Sequence, residues 1–545
     1  MEKLEMNVVG MTCDSCSRHV EGALAAAGAT EVSADWRSGR ATFAAEEADG
    51  GRLAEAVRGA GYRPGSIRSV EDVATRTSRA APEAGDYDLL AIGAGGASFG
   101  AAIRATNLSA RVAIVENGTI GGTCVNTGCV PSKNLLAAAQ AYHTAGHHPF
   151  SGVATSQGRV DLGGAVAMKD DVVAYLRGWK YEELAAKYGF ELIRGHARFT
   201  GPDAVAVEGR EIRAAHYLVA TGATPWAPPI PGLEESGYLT STTALDLKNL
   251  PESLVVIGGN YIGLEMGQLF SRLGSRVTVV EVLDRLAPLE EPELSSWITR
   301  VFEDEGIEVA TSAKITRVER DGESRVVRLG DGRRLAAQEI LVATGRRPNV
   351  EGFGLEVAGI ELTERGAIKV DEELRTTNRR VFAAGDVTGA PQFVYVAAAH
   401  GTLAAENAIT GSHRKMDYAA LPRVTFTEPQ IAAVGLTDEE ANRQGYRCEC
   451  RVVELEHIPR PLVNRDTRGA FKIVAEQGTG RILGVHAVAP NAGDVMIGAV
   501  YAIKFGLTVK DLAETWAPYL TMAEGLKLTA QSFTADVDLL SCCAA

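Results

Sequence analysis

The chain has 545 residues, which is too long for one ordinary domain and predicts roughly three to four. Its 55 basic residues are outnumbered by 69 acidic ones, and the net charge of −14 argues against a general binder of nucleic acid or anionic membranes. The hydrophobic content of 46% is that of a globular chain and not of a disordered one. The first residues lack a signal peptide, and no apolar run reaches the roughly 18 residues of a membrane span, so we expect a soluble, cytoplasmic protein.

Residues 1–68 form the first predicted unit. Helical patterns at 17–27 and 53–60 alternate with strand candidates in the order strand-helix-strand-strand-helix, with room for a last short strand. This is the order of a ferredoxin-like βαββαβ domain. Residues 69–85 are polar and lack an apolar period, which predicts a linker.

From Tyr87, a buried strand runs into a glycine turn, a helix and a second strand that ends before Glu116. The same pattern returns at Ser253, and its second strand ends before Glu281. Two such βαβ units, about 165 residues apart, indicate two nucleotide-binding domains of the Rossmann-like α/β class. After about residue 420 the glycine turns become rare and strand and helix patterns continue, which is typical of a separate α+β domain.

Gly93 and Gly95 form the first dinucleotide fingerprint, with Ser98 at the position of the third small residue. Glycines let the backbone approach a pyrophosphate, and the amino end of the following helix favours its charge. Glu116 can accept hydrogen bonds from a ribose. We therefore expect a dinucleotide at this turn, and the alternative is an ordinary strand–helix connection.

The second fingerprint, from Gly258 to Gly263, has Asn260 where the middle glycine is usual. Asn carries a side chain, but it tolerates unusual backbone angles better than most residues. We expect a nucleotide here as well, with a merely structural turn as the alternative.

The eight cysteines fall in four close pairs and are too sparse for a secreted disulfide scaffold. In a reducing cytosol, such pairs indicate redox or soft-metal chemistry more often than structural bridges. Cys124 and Cys129 stand at the head of a predicted helix, whose amino end lowers the pKa of a thiol, and they can form a disulfide. The other pairs are Cys13 with Cys16, Cys542 with Cys543, and Cys448 with Cys450, the last on one face of a predicted strand and interpreted as structural or incidental.

The string from Gly121 to Lys133 resembles the redox-active segment of the flavin disulfide oxidoreductases of the glutathione reductase and dihydrolipoamide dehydrogenase type. Three further segments, 220–223, 343–349 and 384–387, strengthen this resemblance, which covers residues 86–545. The resemblance implies FAD-binding segments at 86–235 and 351–419, an NAD(P)-binding domain at 236–350, and a dimerisation domain with a Cys-Cys tail at 420–545.

The same resemblance implies roles for five side chains. Cys129 would face the flavin as a charge-transfer thiolate, and Cys124 would be the interchange thiol that meets the substrate. Asp386 would contact the ribitol side of FAD, and Lys133 would lie near the flavin ring, paired with Glu265.

Members of that family that reduce disulfides carry a His-Pro near the carboxyl end, where the His is the acid–base partner of the interchange thiol. The corresponding segment here, 514–525, contains no His. The proton-handling residue of thiol–disulfide exchange is therefore missing, which argues against a glutathione or lipoamide substrate. Tyr519 stands near the lost position, and Cys542 and Cys543 follow on the tail.

The first unit points to soft metals. Its segment 10–16 resembles the metal loop of the heavy-metal-associated domains, in which Cys13 and Cys16 would offer two thiolates to one ion. Soft cations such as Hg(II) and Cu(I) prefer thiolate ligands. A thioredoxin-like redox pair is the alternative, but the unit is too short for that fold. Tyr62 would lie beside the metal loop.

Metal-binding unit, flavin disulfide reductase core and terminal Cys-Cys together resemble the mercuric reductase family, which reduces Hg(II) to volatile Hg(0) with NAD(P)H. The resemblance implies a homodimer, with Hg(II) passed from the first unit to Cys542 and Cys543 of the partner subunit and then to Cys124 and Cys129, and it allows delivery by a membrane transporter. It makes Tyr181 a second active-site phenol beside Tyr519. The remaining cofactor contacts that we expect are Ser98, Gly118, Thr123, Lys133, Ala197, Asp386 and Val394 for FAD, and Gly258, Gly263, Glu281 and Gly345 for the nicotinamide dinucleotide.

The nicotinamide cofactor is predicted from Glu281. A carboxylate at the end of this strand hydrogen-bonds a free ribose 2′-hydroxyl and repels a 2′-phosphate. We expect NADH to be accepted at least as well as NADPH, unless Arg285 folds back onto the phosphate.

Two other functions stay open at this point. One is a dihydrolipoamide dehydrogenase-like disulfide reductase with a metal-binding appendage. The other is a soft-metal trafficking or redox-sensing protein without sustained turnover.

Overall fold

The computed structural model describes residues 2–9, 11, 14–36, 40–46, 49–69 and 86–539. Most of the predicted linker, together with Cys13, Cys542 and Cys543, lies outside the described residues. Among the helices that the structure describes, none combines the length and the apolar character needed to cross a membrane.

The first unit has the predicted ferredoxin-like order. Its antiparallel sheet has the strand order β2-β3-β1-β4, and helix α1 begins at Asp14, three residues earlier than the sequence pattern suggested. Met6, Leu24 and Phe43 are fully buried in its core. The elements are β1 (Glu2–Val9), α1 (Asp14–Ala26), β2 (Thr30–Asp35), β3 (Arg40–Ala45), α2 (Gly50–Gly59) and β4 (Arg63–Ser69).

The second unit begins with a strand whose apolar run, from Leu89 to Ile92, is buried. A strand buried on both faces is typical of a parallel sheet covered by helices. The elements are β5 (Tyr87–Ile92), α3 (Gly96–Asn107), β6 (Val112–Glu116), α4 (Gly122–Asn126), α5 (Cys129–His147), α6 (Leu162–Arg177), a π-helical turn (Gly178–Glu182), α7 (Glu183–Tyr188), β7 (Glu191–Arg194), β8 (Ala197–Gly201), β9 (Ala204–Val207), β10 (Arg210–Ile212), β11 (Ala214–Val219) and β12 (Ala223–Pro225).

The third unit repeats this architecture. Its parallel sheet has the order β13-β20-β14-β15-β16 and carries an antiparallel sheet β17-β18-β19. The elements are α8 (Leu233–Ser236), β13 (Leu239–Thr240), α9 (Ser241–Ala244), β14 (Ser253–Ile257), α10 (Tyr261–Leu273), β15 (Arg276–Val280), α11 (Pro292–Asp304), β16 (Glu308–Ala310), β17 (Ile315–Asp321), β18 (Ser324–Leu329), β19 (Arg334–Ala337), β20 (Glu339–Val342) and β21 (Arg346–Pro348).

The chain then returns to the second unit. Strand β22 (Val381–Ala383) pairs in parallel with β11 and completes a sheet of order β22-β11-β5-β6-β7. A 3₁₀ turn (Gly385–Thr388) follows, and helix α12 (Val394–Thr410) packs along α3. The second unit is therefore built from two separate segments of sequence, with the third unit inserted between them.

The last unit is an antiparallel sheet of order β23-β24-β27-β26-β25 with helices on it. Buried ion pairs join it to the third unit: Arg423 binds both oxygens of Glu290 at 2.8 and 3.0 Å, and Lys472 binds Glu291 at 3.0 Å. The elements are β23 (Pro422–Thr425), β24 (Gln430–Gly435), α13 (Asp438–Arg443), β25 (Cys448–Glu454), a 3₁₀ turn (Leu455–His457), α14 (Pro459–Asn464), β26 (Ala470–Glu476), β27 (Ile482–Ala489), α15 (Ala492–Lys504), α16 (Val509–Glu514), α17 (Glu524–Gln531) and a 3₁₀ turn (Val537–Leu539).

Candidate active site

A cavity of about 1580 Å³ joins the two parallel sheets, and both glycine turns and the cysteine string contribute to its wall. In open α/β sheets, ligands bind in the crevice at the carboxyl ends of the strands. The cavity brings together most of the predicted site residues: Gly93, Gly95, Glu116, Thr123, Cys124, Cys129, Lys133, Gly258, Glu265, Glu281, Gly345, Asp386 and Val394.

The first glycine turn has no room for a side chain at Gly93. A Cβ on Gly93 would lie 2.5 Å from the carbonyl oxygen of Ala220, and Gly93 has a φ of +96°. The Glu116 carboxylate closes the turn, because its Oε2 accepts from Ala94 N at 2.7 Å and its Oε1 accepts from Gly118 N at 2.7 Å. A bare backbone, a helix amino end and an acid at the strand end fit the diphosphate and ribose of FAD.

The second turn is equally tight. A Cβ on Gly258 would lie 2.5 Å from the carbonyl oxygen of Ala343, and one on Gly263 would lie 1.8 Å from that of Gly258. Asn260 has extended backbone angles (φ −108°, ψ −172°), so its tolerance of unusual conformations is not used and that reason for accepting it was wrong. Its buried Oδ1 has no hydrogen-bond partner among the described residues, and the residue lines the cavity, as expected of a group that awaits a ligand.

The two cysteines lie in two consecutive helices. Cys124 lies in α4, and Cys129 is the first residue of the 19-residue helix α5. Both thiols are free, both line the cavity, and they share a hydrogen bond. That hydrogen bond, helped by the nearby Lys133 ammonium, lowers the pKa of Cys129 to about 7, whereas the same hydrogen bond and burial raise the pKa of Cys124. These pKa shifts favour Cys129 as the thiolate of the pair, which is the role that the family resemblance implies for it.

Lys133 pairs with Glu265 as expected. Its Nζ lies 2.7 Å from Glu265 Oε2 and 4.5 Å from the centre of the Phe426 ring. The other oxygen of Glu265 accepts from Phe426 N at 2.9 Å. One helix turn after Cys129, this arrangement fixes a cation between the cysteine helix, α10 and the last unit.

Asp386 lies at the start of the 3₁₀ turn that follows β22. Burial raises the pKa of its carboxyl, although Arg346 lies 3.9 Å away and opposes the shift. Both side chains come from motifs that the sequence singled out, so these distant motifs meet at the cavity.

Tyr181 lies in the π-helical turn that follows α6. Its ring packs edge-on against Phe99, with 4.7 Å between the ring centroids. Burial and the charges of Cys124 and Cys129 raise the pKa of its hydroxyl to about 12. Because of this raised pKa, Tyr181 stays protonated near the cysteine pair at neutral pH. Its place in a single π-helical turn is also typical of functional sites.

Some predicted residues lie elsewhere. Tyr519 is 53% exposed in the last unit and does not line the cavity of the described chain. Ala197 lines a neighbouring cavity of about 530 Å³ that also contains Glu116. Ser98 is buried inside α3, where its Oγ lacks a partner among the described residues, and Gly118 contributes a backbone N–H to Glu116.

Sequence reasoning missed Tyr261, Glu290 and Arg423. Arg423 lines the cavity from β23, and Tyr261 donates to Glu290 Oε1 at 3.3 Å. Tyr395 was also missed, and burial together with the charge of Cys129 raises the pKa of its hydroxyl to about 12. Tyr261 lies within the second glycine fingerprint, whereas Glu290, Tyr395 and Arg423 come from three further segments that no local motif marks.

In the first unit, Met11 is buried and Cys16 lies in the first turns of α1, partly buried against the core that also contacts Tyr62. Cys13 lies outside the described residues. Cys448 and Cys450 lie on β25 and both pack on one small cluster with Val474, which confirms that they share a face.

Three family patterns match the chain. Residues 87–401 match the pyridine nucleotide-disulphide oxidoreductases, and residues 421–530 match the dimerisation domain of the same proteins. Residues 5–63 match the heavy-metal-associated domain.

Similar proteins span the whole chain. A mercuric reductase from Bacillus cereus is 48% identical over 100% of this chain and 87% of its own length. One from Streptomyces lividans is 52% identical over 84% of this chain and 98% of its own, and one from Shigella flexneri is 40% identical over 99% of each. Among solved structures, the Cu(II) complex of the HOCl-induced flavoprotein disulfide reductase RclA from Escherichia coli covers 80% of this chain and 98% of its own with 30% identity and a TM-score of 0.73.

Proposed function

The chain belongs to the mercuric reductases within the pyridine nucleotide-disulphide oxidoreductases, and we propose that Cys124 and Cys129 hold Hg(II) in the cavity while it is reduced. NAD(P)H gives up two electrons and becomes NAD(P)⁺, a proton is released, and Hg(II) becomes Hg(0). FAD, when bound at the first turn, carries those two electrons from the nicotinamide to the metal.

The observation that carries this proposal is that a hydrogen-bonded thiol pair shares a cavity with two nucleotide turns. The absence of His from segment 514–525 agrees with it. Two thiolates are the preferred ligands of a soft cation. A disulfide substrate would instead need an acid–base side chain beside Cys124.

The other side chains of the cavity hold charge. Lys133 stabilises the Cys129 thiolate, and Glu265 orients Lys133 through the 2.7 Å contact. Tyr181, protonated at neutral pH, would donate a hydrogen bond to one of the two cysteine sulfurs. Asp386 would hold the ribitol side of FAD.

The nucleotide assignments follow from the turns. We assign residues 86–235 and 351–419 to the FAD domain, with Gly93, Gly95 and Glu116 at the diphosphate and ribose. Residues 236–350 would bind the nicotinamide dinucleotide, with 1–68, 69–85 and 420–545 as metal-binding domain, linker and dimerisation domain. Further FAD contacts would be Ser98, Gly118, Thr123, Ala197 and Val394, and further nicotinamide-side contacts Gly258, Gly263, Glu281 and Gly345.

We propose that the protein works as a homodimer through its last unit. Ile497 and Tyr501 of α15, and Phe505 directly after it, are exposed at four-residue spacing, and Trp516 is 94% exposed. Such a row of large apolar side chains is typical of a covered interface. Tyr519, which does not line the cavity of its own chain as described, would then complete the site of the partner.

The remaining thiols would deliver the metal. Cys13 and Cys16 would capture Hg(II), and Cys542 and Cys543 would pass it to Cys124 by ligand exchange. Since NAD(P)H and reduced thiols are supplied in the cytoplasm, we place the enzyme there, downstream of a membrane transporter for Hg(II).

The test is Hg(II)-dependent oxidation of NAD(P)H with detection of volatile mercury, in wild-type protein and in Cys129→Ala. The variant should keep its flavin but lose both Hg(0) formation and the long-wavelength thiolate absorbance of the reduced enzyme. Full turnover by Cys129→Ala would refute the assignment, and efficient reduction of lipoamide by the wild type would favour a disulfide reductase.

A further inference from the structure

We propose that this reductase takes NADH in preference to NADPH and that the Glu281 carboxylate sets that preference by binding the adenosine ribose. The inference rests on the proposed function only in placing the nicotinamide dinucleotide at the second glycine turn. It concerns a cofactor choice that the family pattern does not specify.

Glu281 directly follows β15 and is only 6% exposed, yet it lines the cavity. Its Oε2 accepts from Gly259 N at 2.7 Å, and its Oε1 accepts from Leu283 N at 2.9 Å. Two backbone donors therefore fix the carboxylate at the mouth of the turn. A buried carboxylate held in this way cannot swing aside to admit a phosphate without leaving those N–H groups unpaired.

The chain contains its own reference for this arrangement. Glu116 at the first turn accepts from Ala94 N and from Gly118 N. In both turns the donors are therefore the residue after the first glycine and the residue two positions after the acid. The FAD that this turn fits carries an adenosine ribose with a free 2′-hydroxyl, which a carboxylate can accept from. Because Glu281 repeats the geometry of Glu116 bond for bond, the second turn is built for the same unmodified ribose.

The cation that could have accommodated a 2′-phosphate is turned elsewhere. Arg285 contacts Asp284 Oδ1 at 3.4 Å and donates to the Pro288 carbonyl at 3.3 Å, and it is not part of the cavity wall in the described chain. The positions that follow the acid are instead apolar and exposed: Val282 is 65% exposed and Leu283 is 51% exposed. They offer a surface for an adenine ring and no charge for a phosphate.

The decisive experiment measures kcat/KM for NADH and NADPH with the full-length holoenzyme. We expect NADH to be favoured by about tenfold or more, because a like charge set against the 2′-phosphate is strongly unfavourable. Binding of 5′-AMP and of 2′,5′-ADP, followed by calorimetry, gives a readout that is independent of turnover. The 5′-AMP should bind more tightly, and a clear preference for NADPH and for 2′,5′-ADP would overturn the inference and point to Lys314 on the same wall.

Two variants test the residue itself. Glu281→Gln keeps an acceptor for the backbone but removes the charge, so the NADH preference should fall several-fold. Glu303→Gln, at an exposed acid of α11 outside the cavity wall, is the control and should change the preference little. If Glu281→Gln loses its flavin or fails to fold, Val282→Arg supplies a cation without touching Glu281 and should raise kcat/KM for NADPH. An unchanged ratio in both Glu281→Gln and Val282→Arg would refute the role of this position.

Failure here can be told apart from failure of the proposed function. Anaerobic reduction of the enzyme by NADH and by NADPH can be compared in the absence of any mercury. If NADH reduces the enzyme faster but no Hg(0) forms, the proposed function is wrong and the cofactor inference stands. If Hg(0) forms equally well from both cofactors, the proposed function stands and the cofactor inference is wrong.

Discussion

Lys133 should set the pH at which Cys129 ionises. The ammonium is held by Glu265 at 2.7 Å and is one of the groups that lower the pKa of Cys129 to about 7. In Lys133→Met that positive charge is lost, while the buried Glu265 keeps its hydrogen bond from Phe426 N. We expect the pKa of Cys129 to rise.

The size of the shift follows from the charges. A unit charge about 6 Å from a thiolate contributes about 3 kcal/mol at an effective dielectric constant of about 20. Glu265 cancels much of this because its carboxylate acts on Cys129 in the opposite direction. A net loss of about 1.4 kcal/mol, or one pKa unit, is therefore expected, which moves ionisation to about pH 8.

The assay is a pH titration of the long-wavelength thiolate absorbance in the two-electron-reduced holoenzyme. A thiol is charged above its pKa, so the absorbance should disappear at a higher pH in Lys133→Met than in the wild type. Glu265→Gln is the matched control, because it leaves Lys133 without its counter-charge and should shift the loss of absorbance to lower pH. Shifts of the same sign in both variants, or no shift in Lys133→Met with normal flavin content, would refute the electrostatic account.

Three further outcomes are expected. Replacing Cys542 and Cys543 with Ala should slow turnover most when Hg(II) is supplied with excess competing thiol. If the competing thiol slows the variant no more than the wild type, the relay role of this pair is refuted. A core that starts at Tyr87 should keep flavin and activity, and the 1–68 fragment should take up one Hg(II) in a mass-spectrometric titration; loss of flavin from that core would move the boundary. Tyr181→Phe should lower kcat by about tenfold, as for loss of a hydrogen bond to a charged group. Since the pKa of Tyr181 is raised to about 12, the phenol stays protonated, and a wild-type activity loss near pH 9 that the substitution abolishes would contradict this role.

The parts of the site that the sequence predicted are those whose chemistry is local. The glycine turns, the acids at the carboxyl ends of β6 and β15, and the cysteines of α4 and α5 each stand within a short string whose spacing has a steric or electrostatic reason. Gly263 shows this most clearly, because any side chain there would meet the carbonyl of Gly258. Constraints of this kind involve only a few consecutive residues, so they can be recognised in the sequence.

The parts that the sequence missed depend on the packing of separate units. Arg423 and Phe426 belong to the last unit but contact Glu290 and Lys133 of earlier units. Arg and Phe are common residue types, and the sequence at 420–430 contains no motif that predicts a contact with the cavity. Asn260 illustrates a different limit: the residue lines the cavity at the second turn, but its backbone is extended, so the tolerance of unusual angles that the sequence suggested is not used. Its buried Oδ1, which has no partner among the described residues, could be found only in the structure.

The missing histidine and the thiol pair are explained by one argument about protons. In disulfide exchange the departing thiolate must be protonated, so an acid–base side chain beside the interchange thiol assists every turnover. In the proposed site, Hg(II) would instead bind the Cys129 thiolate and displace the proton of Cys124, because metals bind thiolates. The Hg(0) that leaves carries no proton, and two thiolates remain in the cavity. A site for Hg(II) therefore does not need the acid–base histidine that segment 514–525 lacks, and what it requires is a fixed positive charge beside the sulfurs, which Lys133 provides.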